Sequence, residues 1–164
     1  MTQLISFVGR SNSGKTTLLI KLLPLFVARG TKVATIKNTH HQVEFDQPGK
    51  DSYRHRQAGA EQVLLVSEED FCLIGKRENK LNLDQLVERY FIDFDLVISE
   101  GFKNEKSLKV EVYRSETGKT PLYRSQDYQI DALISNENPA LEIPIFDLND
   151  VEGIYDWICE KLAL

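Results

Sequence analysis

A chain of 164 residues with 41% hydrophobic and 27% charged side chains is long enough for a buried core and too apolar for disorder. Its net charge of −5 argues against a sequence-independent grip on nucleic acid, which needs a dominant basic surface. No run reaches the length of a membrane span, the amino terminus lacks a basic-then-apolar leader, and Cys72 and Cys159 form no Cys-x-x-Cys pair, so a cytoplasmic protein with two reduced thiols is expected.

The apolar run Gln3–Val8 reads as a buried strand, and Lys15–Arg29 reads as a helix. Between them Gly9, four free positions, Gly14, Lys15 and Thr16 form a P-loop in the strand–loop–helix context that the motif requires. Glycines let the backbone curl so that its N–H groups face phosphate oxygens, and the positive end of the helix dipole faces the same anions. Gly9, Ser11, Asn12, Ser13 and Gly14, with Lys15, Thr16 and Thr17 opening the helix, are therefore the candidate nucleotide-binding residues. Lys15 would reach the outer phosphates, and the Thr16 hydroxyl would complete an Mg²⁺ shell. Pro24 removes a backbone donor and is expected to kink or divide the helix, and Gly30 ends it.

A second strand is predicted at Lys32–Lys37, and the segment after it holds all three histidines, His40, His41 and His55. Pro48 and Gly49 mark a turn before a helix over Lys50–Ala58. Asp51 is a candidate for Mg²⁺ or its waters, and Arg54 for a phosphate held bidentately. Lys50, Arg54, His55 and Arg56 would together present a positive surface to an anion. Three readings of this segment stand side by side: a switch or substrate-binding element, a zinc site, or a solvated face. Zinc is disfavoured, because adjacent histidines point apart and the metal-binding Cys/His spacing is lacking.

The runs Gln62–Ser67 and Phe71–Lys76 read as a hairpin, and Val63 to Val66 as a strand buried on both faces. A helix follows over Leu83–Phe91. Leu96–Ser99 is a strand that ends in Glu100 and Gly101. A strand beside the first one presents its terminal carboxylate to the metal–phosphate cluster, so Glu100 is the candidate for Mg²⁺ or for positioning an attacking water. Asp95, at the other end, reads as a turn residue. Lys109–Arg114 alternates polar and apolar, which predicts an edge or half-exposed strand, and 115–130 reads as loop. Strands at Ala132–Ser135 and Pro144–Asp147 and a helix at Val151–Leu162, with Asp150 as N-cap, complete the chain. The pattern is an α/β protein of the P-loop NTPase type in a single domain spanning 1–164. It has a mostly parallel twisted sheet, helices on both faces, and one antiparallel hairpin or edge.

These residues resemble the molybdopterin-guanine dinucleotide biosynthesis protein B family. The resemblance rests on Gly14-Lys15-Thr16-Thr17, on Ile36-Lys37-x-Thr39-His40-His41, and on Pro48-Gly49-Lys50-Asp51-Ser52-x-Arg54 with Ala58-Gly59-Ala60. It continues through Asp95-Leu96-Val97 and Glu100-Gly101-Phe102-Lys103. It implies a GTP-binding adapter with Mg²⁺ and weak GTPase activity that assists attachment of GMP to molybdopterin. The partners it implies are molybdopterin guanylyltransferase, the molybdenum-insertion protein and a second copy of the chain in a homodimer, with molybdopterin a possible ligand. Two positions depart from expectation. Asn38 stands where many members carry histidine, and the guanine-reading Asn-Lys-x-Asp string of regulatory GTPases is replaced by Asn136-Glu137-Asn138-Pro139. Asn136 could still meet the base. The rival reading is a P-loop small-molecule kinase, whose lid over the donor phosphates would come from 115–124 with Arg114, Lys119 and Arg124. Arg10, inside the loop, could lean over the phosphates.

Overall fold

A computed structural model describes residues 2–39, 43, 45–76 and 81–164. They fall into two compact units, Met1–Asn38 with Asn82–Leu164, and Thr39–Leu81.

The first unit is built on strands β1 (Gln3–Val8), β2 (Val33–Lys37), β5 (Leu96–Glu100), β6 (Leu108–Tyr113), β7 (Ala132–Ser135) and β8 (Ile145–Phe146). They form one sheet in the order β2-β5-β1-β6-β7-β8, with every pairing parallel. Parallel strands need crossovers, and the helices that supply them cover both faces. On one face Ile5, Phe7, Ile98, Val110, Val112 and Ile134 pack against helices α1 (Lys15–Ala28) and α4 (Val151–Leu162) through Leu22, Phe26, Ile154 and Ile158. On the other, Ala34 and Val97 meet Val87 of helix α3 (Leu83–Tyr90), with Phe91 and Phe94 alongside.

Local chemistry explains the element ends. Asp150 accepts the Gly153 N–H and starts α4, as its spacing predicts. Asn82 and Gln85 form a reciprocal capping box at α3. Gly30, at φ +85, closes α1 by donating to the Val27 carbonyl. Of the kink or division expected at Pro24, the division does not occur, and α1 runs through it. Pro24 and Ile20, four residues before it, are both exposed, so the carbonyl that loses its donor lies on the solvent side of the helix.

Two predicted placements are corrected. Strand β6 is not at an edge; it lies between β1 and β7, with Lys109 and Glu111 buried. Its polar face is covered by the folded segment after it. Glu111 accepts the Leu122 and Tyr123 N–H groups at 2.6 and 2.8 Å, and Val8, Leu122 and Ile130 cluster beside it. Alternation here records a face capped by a loop's backbone donors rather than by water.

The second unit holds helix α2 (Asp51–Gln57) and the antiparallel hairpin of β3 (Gln62–Val66) and β4 (Phe71–Gly75). The run Val63 to Val66 is not buried on both faces. Leu64, Leu65, Val66, Phe71 and Leu73 are all exposed, Val66 at 73% and Phe71 at 76%. Two strands alone cannot cover both of their faces.

Candidate functional site

The carboxyl ends of β1, β2, β5 and β6 bring the first unit's candidate residues together. The loop after β1 curls through Gly9 at φ +142, Asn12 at φ +69 and Gly14 at φ +92. A side chain at Gly9 would collide with the Val112 carbonyl oxygen of the neighbouring strand, so this turn needs glycine for space as well as for conformation. Gly14 is the N-cap of α1 and offers no side-chain cap, and the first turn carries no acid. The amides at this helix end are thus oriented for an external anion.

Lys15 folds back over the loop. Its ammonium donates to the Gly9 and Arg10 carbonyls at 3.3 and 2.9 Å and to the Ser13 hydroxyl at 3.4 Å. Burial lowers its pKa, the nearby Lys37 and Lys119 ammoniums lower it further, and only Glu100 acts in the opposite direction.

Thr16 and Glu100 meet as their positions predict: the Thr16 hydroxyl donates to Glu100 Oε2 at 2.9 Å. Lys37, to which the sequence reading gives no role, completes the group. It lies 3.3 Å from Glu100 Oε2 and 3.4 Å from Thr16 Oγ1. Lys37 pairs with Glu100 where the adjacent strands β2 and β5 end, a register that only the strand order reveals. A hydroxyl and a carboxylate are hard oxygen donors of the kind Mg²⁺ takes beside phosphate oxygens and water, so Thr16 and Glu100 fit that ion. Among the described residues, no group of three or more His, Cys, Asp or Glu is arranged as an all-protein metal site. Gly101 and Phe102 follow Glu100 at φ +104 and +58, and the Gly101 N–H donates to the Phe7 carbonyl. Asp95 serves the turn, as expected, accepting the Lys32 N–H at 2.8 Å.

Asn136 at the end of β7 is tied to the segment after β6. It accepts the Ser115 N–H and donates to the Ser115 hydroxyl and to Glu116. The Arg10 Nε donates to the Thr120 carbonyl at 3.1 Å.

Asp51 and Arg54 belong to the second unit, on α2, where they pair with each other at 3.5 Å. The expected positive surface of Lys50, Arg54, His55 and Arg56 is smaller than predicted. Arg56 pairs with the buried carboxylate of Asp46, which also accepts the Ser52 hydroxyl. His40 and His41 lie outside the described residues.

A central parallel strand running into a glycine-bounded loop, an uncapped helix start, an invading lysine and an acid at the end of the adjacent strand define the P-loop NTPase class. Residues 4–136 match the family described as Molybdopterin guanine dinucleotide synthesis protein B. The chain is 39% identical over 163 residues to the molybdopterin-guanine dinucleotide biosynthesis adapter protein of Escherichia coli K12, covering 98% of this chain and 93% of that one. It is 36% identical over 156 residues to the Haemophilus influenzae protein of the same description, covering 94% and 86%. A crystal structure of molybdopterin-guanine biosynthesis protein B, 28% identical, superimposes with a TM-score of 0.79 over 96% of this chain and 99% of its own. The chain belongs to the molybdopterin guanine dinucleotide synthesis protein B family. That membership sets the small-molecule kinase reading aside. Among the described residues, no helix is long and apolar enough to cross a membrane.

Proposed function

We propose that this chain binds GTP with Mg²⁺ on the loop 9–16 and acts as an adapter in molybdopterin guanine dinucleotide biosynthesis. The observation that carries the reading is Lys15 folded onto the carbonyls of a loop that opens into an uncapped helix, with Thr16 joined to Glu100. Gly9, Ser11, Asn12, Ser13, Gly14 and Thr17 supply the cradle and Lys15 the outer-phosphate contact. Thr16 and Glu100 would hold Mg²⁺, which when bound neutralises charge on the phosphates. Glu100 also orients water, and hydrolysis is slow. Nucleotidyl transfer itself belongs to a guanylyltransferase partner in the cytoplasm, and the product passes toward a molybdenum-insertion protein. Arg54 of α2 is kept as a candidate for a phosphate, and Asp51 as a candidate for Mg²⁺ or its waters. The chain works as a homodimer. Support for this comes from the hairpin, whose exposed Leu64, Val66 and Phe71 and whose outer strand edges, unpaired among the described residues, suit pairing with a second hairpin.

Calorimetry with GTP, GDP and ATP in the presence of Mg²⁺ tests the reading. Lys15→Ala is expected to weaken GTP binding more than about tenfold while leaving the unfolding transition in place. Unchanged affinity in that variant would remove the loop from the site.

A further inference from the structure

The segment that joins β6 to β7, which the kinase reading would use as a lid, touches the phosphate loop at three points. Arg10 of the loop donates to the Thr120 carbonyl at 3.1 Å. The Lys119 ammonium donates back to the Ser11 carbonyl at 3.4 Å. Arg114, the residue after β6, lies against Gly14, where even a Cβ would come within 3.0 Å of its Nε. The segment is pinned beneath by the buried carboxylate of Glu111, which holds the Leu122 and Tyr123 amides. These contacts are built into the carboxyl end of the sheet, because β6 is the neighbour of β1.

The two cations sit at different ends of the loop. Lys15, which in a P-loop reaches the outer phosphates, is held on the Gly9 and Arg10 carbonyls, so the first half of the loop marks the outer-phosphate end. Lys119 hangs on Ser11 at that same end, close enough that its charge depresses the Lys15 pKa. Arg114 lies instead at Gly14, where the Gly-Lys-Thr amides face the inner phosphates. Lys37 approaches from β2 on the opposite flank, and Glu100 is the carboxylate among these cations that acts on Lys15.

Building on the nucleotide reading above, we propose that residues 114–120 form a second, basic wall of the phosphate site, with Lys119 contacting the terminal phosphate of a nucleoside triphosphate and Arg114 the inner phosphates. Lys119 then supplies the protein with a means of telling triphosphate from diphosphate, and Arg114 holds both forms alike. The wall comes from the strand flanking β1 on the side away from Glu100, so the nucleotide is gripped between β5 and β6.

The test is calorimetric titration of the full chain and of Lys119→Met, Lys119→Arg and Arg114→Met with a non-hydrolysable GTP analogue and with GDP, Mg²⁺ present. Loss of one charge-assisted contact predicts that Lys119→Met weakens the triphosphate analogue about tenfold and changes GDP less than about twofold. Lys119→Arg, which keeps the charge, recovers most of the loss. Arg114→Met weakens both ligands by a similar factor. Equal effects of Lys119→Met on both ligands, or none on either, would overturn the assignment while leaving the nucleotide site intact. Failure of the unaltered chain to bind either ligand would overturn the nucleotide reading and this assignment with it.

Discussion

Glu111 places a carboxylate, fully buried, on a central strand, and its replacement separates what the acceptor oxygens do from what the charge does. Its two oxygens take the Leu122 and Tyr123 N–H groups at 2.6 and 2.8 Å. Glu111→Ala leaves both amides without that acceptor, at about 1–3 kcal/mol each, and relief of the desolvated charge offsets part of the loss. The net expectation is about 3 kcal/mol, which for a chain of this size lowers Tm by about 6–12 °C. Burial pushes the Glu111 carboxyl above the ordinary glutamate range, against the pull of the two amides and Arg10. Burial disfavours the charged form in the fold relative to water, and Glu111→Gln drops the charge and keeps one acceptor but turns an NH₂ toward the other amide, so it is expected to cost about 1–2 kcal/mol, less than Glu111→Ala. Between the ordinary value and the raised one, the folded state holds the proton more tightly than the unfolded state. Stability of the unaltered chain consequently falls as pH rises through that window, and the glutamine variant lacks this slope. Scanning calorimetry between pH 4 and 8 reads both effects. A glutamine variant as damaged as the alanine one, or a Glu111→Ala variant with unchanged Tm, would refute the reasoning.

Two further expectations follow from the site and the hairpin. Glu100→Gln is expected to retain nucleotide binding, since Lys15 and the loop amides are untouched, while single-turnover hydrolysis falls about tenfold or more; unchanged turnover would strip Glu100 of its role. Phe71→Glu places a charge on the exposed hairpin face and is expected to shift sedimentation toward the single chain with Tm of the sheet unit nearly constant; an unaltered sedimentation coefficient would exclude the hairpin as the pairing surface.

Local signals made much of this architecture legible. Strands β1 and β7 and helix α4 have the predicted bounds, because each combines an apolar run with a clear stop or cap. The phosphate loop and the Thr16–Glu100 contact were legible because both are fixed by residue spacing at strand ends. Lys37 was missed for lack of strand order: its partnership with Glu100 follows from β2 lying beside β5, which local pattern does not encode. Strand β6 was misplaced because Lys109 and Glu111 look solvent-facing until the distant amides of 122 and 123 are known to cover them. The hairpin was misread for the converse reason, its own unit being too small to bury more than Ile74 and part of Val63.

The polar residues of β6 also act against wrong pairings. A slip of one residue relative to β1 or β7 would rotate Lys109 and Glu111 in among Phe7, Leu22 and Ile154, stranding two ions in hydrocarbon at several kcal/mol apiece. Val110 and Val112 would meanwhile turn toward main-chain amides that they cannot satisfy. Misaligned sheets are thereby penalised far more heavily than an all-valine strand would penalise them, and the ledge carrying Arg114 and Lys119 is held at one height above the loop.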